Sequence, residues 1–242
     1  MKPQSPPEAS VHCATPQVKI CGLTLPEEAA ACADLGADAI GLIFFPKSPR
    51  HLSVEGAGAV VAALPRSVPA VGVFVNATFD AIMDRVDRCG LRMVQLHGRE
   101  NPELVDRLRS RGIGVVKALF VDGRPGFPDR RRYHADAFLA ECARGPLPGG
   151  NAMVWDWRAA RALRGAAPLV LAGGLSPDNV RDAVHDALPA AVDVSSGVEI
   201  APGRKDLVKV ARLLEAVRQT APFYAGSPPT PVFGAGERTI DG

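Results

Sequence analysis

From about residue 17 to residue 220, short apolar runs alternate with amphipathic stretches, and the alternation repeats eight times. "QVKIC" is a β-branched run ending in Cys21. The Ala-rich "LPEEAAACADLG" after it has Pro26 near its start and Gly36 at its end, the marks of a helix. "ADAIGLIFF" predicts a second strand, and "SVEGAGAVVAALP" a helix capped by Ser53. "PAVGVFV" is a third strand, followed by a helix from about Thr78 to Cys89. "RMVQLHG" is a fourth, followed by "NPELVDRLRSRG", with Asn101 as cap and Gly112 as stop. "IGVVKALFV" and "DAFLAE" are strands five and six, with a Pro- and Arg-rich segment of weak helical signal between them. "PLVLAGG" is the seventh, leading into the helix "SPDNVRDAVHDALP" capped by Ser176. "AVDVSSG" is the eighth, followed by "KDLVKVARLLEAVRQ".

The strand bodies are apolar almost throughout, as in a parallel sheet covered on both faces. Eight strand–helix units within 17–220 predict a single (β/α)8 barrel. An open doubly wound sheet would need a glycine-rich fingerprint after strand one, and "CGLTLPEE" supplies none. Residues 1–16, rich in Pro and Ser, are expected to be a disordered extension, and 221–242, rich in Pro and Gly, a flexible tail.

Composition narrows the function. Of 242 residues, 47% are hydrophobic and 22% charged, and the net charge is only +2. That balance leaves no electrostatic footprint for nucleic acid. No stretch approaches the roughly 18 apolar residues of a membrane span, and the first residues lack the apolar core of a secretory signal. Five cysteines, an odd number without metal-like spacing, fit reduced thiols in a cytoplasmic protein with no metal site.

In such a barrel the active site forms at the C-terminal ends of the strands. Strand one ends in Cys21, and the loop after strand two carries Lys47, Ser48 and Arg50. Strand four ends in Gln95 and His97, and strand six in Glu141. Gly173-Gly174 follow strand seven and Ser195-Ser196-Gly197 strand eight, where barrels often bind phosphate. Either these glycines only make tight βα turns, or both loops present backbone N–H groups to an anion. Cys21 is either a small buried hydrophobe or a thiol facing a ligand. Arg50 is either solvated or a bidentate carboxylate clamp. Asp193 either orients ligand and loops or is a paired polar group inside the barrel, and His97 either caps its loop or touches ligand. Cys13, Cys32, Cys89 and Cys142 have no comparable placement.

"KICGLT", "GADAIGLIFFPKSPRHLS", "VGVFVN", "VQLHGRE", "LAGGLSPDNV" and "VDVSSGVEIAPGRKD" together resemble phosphoribosylanthranilate isomerase of tryptophan biosynthesis, in order, from about Gln17 to Arg218. The resemblance implies conversion of N-(5′-phosphoribosyl)anthranilate to 1-(2-carboxyphenylamino)-1-deoxyribulose 5-phosphate without metal or cofactor, by a monomer or dimer. It implies Cys21 as general base, Arg50 on the anthranilate carboxylate, and the two glycine- and serine-bearing loops on the phosphate. A thiol serves as base where its surroundings lower its pKa.

One segment departs from the family. Strand six there ends in aspartate, followed by a "GGxGKxFDW"-like loop; here the segment reads "DAFLAECARGPLPGGNAMVWDW". Aligning Gly149-Gly150 and Asp156-Trp157 puts Glu141 at the aspartate position as general acid, and Asn151, Ala152, Met153 and Val154 in place of the glycine–lysine part. Two alternatives follow: an isomerase of a related phosphoribosylamine, or a barrel that binds phosphosugar with little turnover.

Overall fold

Eight parallel strands close into a barrel in chain order. They are β1 (Gln17–Cys21), β2 (Ala39–Ile43), β3 (Ala70–Phe74), β4 (Met93–Leu96), β5 (Gly114–Phe120), β6 (Ala137–Glu141), β7 (Leu169–Leu171) and β8 (Ala191–Val194). The computed structural model describes residues 15–143, 153–165, 167–224 and 228–234. Side chains alternate across each strand. Val18 and Ile20 pack in the layer between strands and helices, so Lys19 and Cys21 face the interior. Small aliphatic residues fill the lower barrel: Ala39, Val71, Val116, Ala137, Val170 and Ala191.

Local chemistry sets the helices. Helix α1 (Pro26–Asp34) starts on a proline with Glu27 and Glu28 in its first turn, where the helix dipole favours acidic groups. The side chains of Ser53, Thr78 and Asn101 cap α2 (Val54–Ala63), α3 (Phe79–Cys89) and α4 (Pro102–Ser110) by accepting backbone N–H bonds. Between β5 and β6 lies a 3₁₀ turn, 127–132, and before β7 another, 157–163.

The helix after β7 differs from expectation. Helix α5 is Val180–Ala187 with Asn179 at its N-cap, so Ser176 does not cap it. The Ser176 hydroxyl accepts from Asp178 N instead, while Asn179 accepts from Ser176 N and donates to the Gly174 carbonyl. An Asx-type side chain thus fixes the loop and delays the helix by a turn. After β8, a short antiparallel hairpin, β9 (Glu199–Ala201) and β10 (Arg204–Lys205), precedes α6 (Leu207–Arg218). No described helix is long and apolar enough to cross a membrane.

The end of the chain also differs from a flexible tail in the stretches described. Residues 221–224 form a 3₁₀ turn, and the buried Tyr224 donates to the Pro189 carbonyl at 2.7 Å. Further on, Val232 N and Phe233 N donate to Gln17 Oε1 at 2.6 and 2.8 Å, and Gln17 Nε2 donates to the Phe233 carbonyl. The Phe233 ring is 3% exposed and packs against the small residues of the barrel floor. Phe233→Ala should cost about 3 kcal/mol, the low end for a buried phenylalanine because the tail can undock. Thermal unfolding should show this as a midpoint lower by roughly 6–10 °C, with kinetic constants unchanged.

Candidate active site

A cavity opens at the C-terminal ends of the strands. All eleven candidate catalytic and binding residues line it, whereas Lys47, Met153 and Val154 do not. Cys21, Arg50, Gln95, His97, Glu141 and Asp193 stand on the strands and the loop after β2. Gly173, Gly174, Ser195, Ser196 and Gly197 form its wall from the loops after β7 and β8. Ser48 lines it too, whereas Cys32, Cys89 and Cys142 are buried elsewhere. Gly149 to Ala152 lie outside the described residues.

On one side the register creates a charge cluster. Lys19 pairs with Asp193 across β1 and β8, and Lys19 Nζ lies 2.8 Å from Asp193 Oδ1, wholly buried. Cys21 stands opposite Gly41 on β2; a Cβ at Gly41 would lie 2.6 Å from Cys21 Sγ and 3.0 Å from Lys19 Nζ. The missing side chain makes the room that thiol and ammonium share.

Burial pushes the Cys21 thiol up; Lys19 and Lys205 pull it back, and Asp193 adds to the rise. The free site therefore differs from the lowered thiol pKa expected of a base, because desolvation outweighs the cations. Burial alone would lower the Lys19 ammonium, but Asp193, with Cys21 behind it, raises it.

Arg50 is neither solvated nor open on every side. Its Nε and Nη2 donate to Glu199 Oε1 and Oε2 at 2.8 and 2.7 Å, and this fork, opposed by burial, raises its pKa. One edge of the guanidinium is taken, and the end-on Nη1–Nη2 edge is left for a second carboxylate. Lys205 Nζ also donates to Glu199 Oε1, at 2.7 Å. Burial would raise the Glu199 carboxyl, yet Arg50 and Lys205 hold it below the usual carboxylate range.

Across the barrel, Gln95 Nε2 and His97 Nδ1 are 2.9 Å apart, and His97 Nε2 lies 3.0 Å from Glu141 Oε2 without the alignment of a hydrogen bond. A neutral ring whose Nδ1 accepts from Gln95 carries its proton on Nε2. His97 starts a loop held from below: buried Lys117 Nζ donates to the carbonyls of Leu96 and Gly98 and to Glu100 Oε2. Glu100 in turn accepts from Asn76 N and Gly98 N.

The glycine loops are tightly built. Gly173 and Gly174 have φ of +88° and +69°, and a Cβ at Gly174 would lie 2.7 Å from the Met153 backbone. A Cβ at Gly197 would lie 1.9 Å from the Leu175 carbonyl oxygen, so the two loops pack backbone to backbone. Between them the buried Ser195 Oγ has no hydrogen-bond partner among the described residues. A buried hydroxyl left so calls for a ligand or water.

Sequence reasoning missed Lys19, Glu199, Lys205 and the Lys117–Glu100 pair. Lys19 carried one signal, its place two residues before Cys21 on the same strand face. Glu199 and Lys205 meet in the β9–β10 hairpin, and Lys117 reaches Glu100 from the strand beside β4, contacts that no residue pattern in the sequence marks.

The family model described as N-(5'phosphoribosyl)anthranilate (PRA) isomerase matches residues 18–216. N-(5'-phosphoribosyl)anthranilate isomerase of Desulfatibacillum aliphaticivorans is 53% identical over 208 residues, covering 86% of this chain and 95% of that protein. The crystal structure of phosphoribosyl anthranilate isomerase from Thermotoga maritima is similar with a TM-score of 0.75 and 37% identity, covering 84% of this chain and 99% of that one. A further isomerase structure, in complex with reduced 1-(o-carboxyphenylamino)-1-deoxyribulose 5-phosphate, has a TM-score of 0.72 and 36% identity over 84% of this chain and 99% of its own. With its barrel, its strand-end cavity and these relatives, this chain belongs to the N-(5'-phosphoribosyl)anthranilate isomerase family.

Proposed function

We propose that the cavity binds N-(5′-phosphoribosyl)anthranilate and isomerises it, with Cys21 as general base and Glu141 as general acid. One observation carries this. A buried thiol beside an ammonium and a carboxylate beside an imidazole face one cavity from β1 and β6, three strands apart around the closed barrel.

Opening the aminofuranose needs a proton on the ring oxygen as the C1–O bond breaks, leaving a protonated imine at C1. Glu141 supplies that proton from the β6 side. The Cys21 thiolate then takes the C2 proton; the C2–H electron pair becomes the C1=C2 bond, and the imine π pair returns to nitrogen. The enolamine tautomerises to the ketone, so the reaction is an isomerisation that consumes no co-reactant. The reaction needs an acid and a base on opposite sides of the sugar, roles assigned to side chains on β6 and β1.

The remaining groups bind. The phosphate lies between the Gly173-Gly174 and Ser195-Ser196-Gly197 loops, with the unpartnered Ser195 hydroxyl as a donor. The anthranilate carboxylate takes the end-on edge of Arg50, whose other edge Glu199 anchors. Asp193, Gln95 and His97 orient the sugar between them. The reduced product analogue bound in the isomerase complex above carries the same phosphate and carboxylate at its two ends. The test is loss of the fluorescence of phosphoribosylanthranilate generated in situ. The expected result is steady turnover by the wild-type protein, inhibited by the reduced product analogue. Analogue binding without turnover would leave only a phosphosugar-binding barrel.

A further inference from the structure

We propose that Lys19 is the counter-ion of the Cys21 thiolate and hence a positioning residue for proton abstraction. The proposal deepens the assignment of Cys21 as base and rests on it for its catalytic consequence. The geometry comes first. Lys19 and Cys21 share one face of β1, and Gly41 leaves an open space bordered by both Lys19 Nζ and Cys21 Sγ. Lys19 is fully buried, so no water shields its charge from the sulfur.

Charge balance points the same way. The groups that face Cys21 are Lys19 from its own strand, Asp193 from β8, Lys205 from β10 and Arg50 from the loop after β2. Glu199 stands behind the last two, bonded to both. Three cations thus meet two anions while Cys21 is a thiol, and the cluster is neutral only when Cys21 is a thiolate. Lys205 and Arg50 spend their charge mainly on Glu199 at 2.7 and 2.7 Å. Lys19 shares its ammonium between Asp193 and the sulfur, and it is the cation on the sulfur's own strand. When Cys21 ionises, the S–H proton leaves to solvent and Lys19 holds the anion. When the thiolate takes the C2 proton, the S–H bond re-forms and the ammonium returns to Asp193 alone.

The test measures the thiol directly, without substrate. Alkylation of Cys21 by iodoacetamide is followed against pH by mass spectrometry of the Cys21 peptide, using a protease that does not cut at lysine. Lys19→Met and Lys19→Gln should raise the midpoint by about 1–3 pH units, the usual effect of losing an opposite charge within about 4–6 Å. Alkylation at pH 7 should fall at least tenfold with it, and the acid limb of kcat/KM should move by the same amount. A midpoint unchanged in either folded variant would overturn the proposal, since a merely structural lysine would alter stability and leave the thiol alone. Should neither variant fold, Asp193→Asn decides: with the ammonium released from its carboxylate the midpoint should drop, and an unmoved midpoint overturns the pairing. Cys21→Ser separates the two levels. If it turns over normally, Cys21 is not the base, while the alkylation midpoints still report whether Lys19 sets the charge of the thiol.

Discussion

Cys21→Ser should lower turnover by at least about 10²-fold, the range of a lost general base, and leave binding of the reduced product analogue nearly unchanged. Serine is smaller than cysteine and fits the space that Gly41 leaves opposite it, so the fold has no reason to suffer. A hydroxyl keeps the hydrogen bonds and loses the ionisation, since the thiolate is the nucleophile and base and an alcohol is weak without an activating partner. The pH profile sharpens the prediction. A base works deprotonated, and burial pushes the Cys21 thiol up against the pull of Lys19 and Lys205. The kcat/KM of the wild type should therefore rise with pH through the thiol ionisation and continue rising into the alkaline range. In Cys21→Ser that limb should be gone. Turnover near the wild-type rate, with the limb intact, would show that some other group takes the C2 proton.

Strand count, strand order and the eleven cavity residues were legible because each depends on local pattern. Apolar runs mark the strands, and polar or glycine residues mark their ends, wherever the neighbours in space turn out to be. What stayed hidden depends on closure. Lys19 and Asp193 are 174 positions apart, and they meet because β1 pairs with β8, which no window along the chain displays. Arg50 likewise meets Glu199 over 149 positions, so its open-loop appearance in the sequence concealed a buried fork. The thiol pKa failed for another reason: the base role implied a lowered pKa, and only burial tells how much desolvation opposes the cations. Phe233 was masked by composition. Prolines and glycines around it signal a mobile end, yet one aromatic ring and the hydrogen-bonding edge of Gln17 suffice to seat it on the floor of small side chains. That seat lies beyond the 18–216 span that the family model matches.

Glu141→Gln should cost about 10²-fold or more in turnover, since it removes the proton donor and preserves size. The position is the one where the sequence departs from its family, so it tests the assignment hardest. A glutamate in place of aspartate carries the carboxyl one methylene further, and about 1 Å of misplacement can cost 10²-fold. The structure accommodates the extra length. A Cβ at Gly173 would lie 3.1 Å from Glu141 Cγ, so the longer stem lies over a residue without a side chain. From there Oε2 reaches His97 Nε2 at 3.0 Å, and Gln95 holds the ring from its other nitrogen. The carboxyl thus lies beside His97 at the far end of the longer side chain. Glu141→Asp, which restores the family's residue, should retain turnover within about tenfold: a carboxyl acid remains in the cavity, and the contact to His97 lengthens. The expected order is wild type, then aspartate, then glutamine far below, with binding of the product analogue similar in all. Glutamine equal to wild type would move the acid role to His97, the nearest group able to carry a proton to the ring oxygen. In that case His97→Gln should show the loss instead, and Glu141 would be the residue that orients the imidazole.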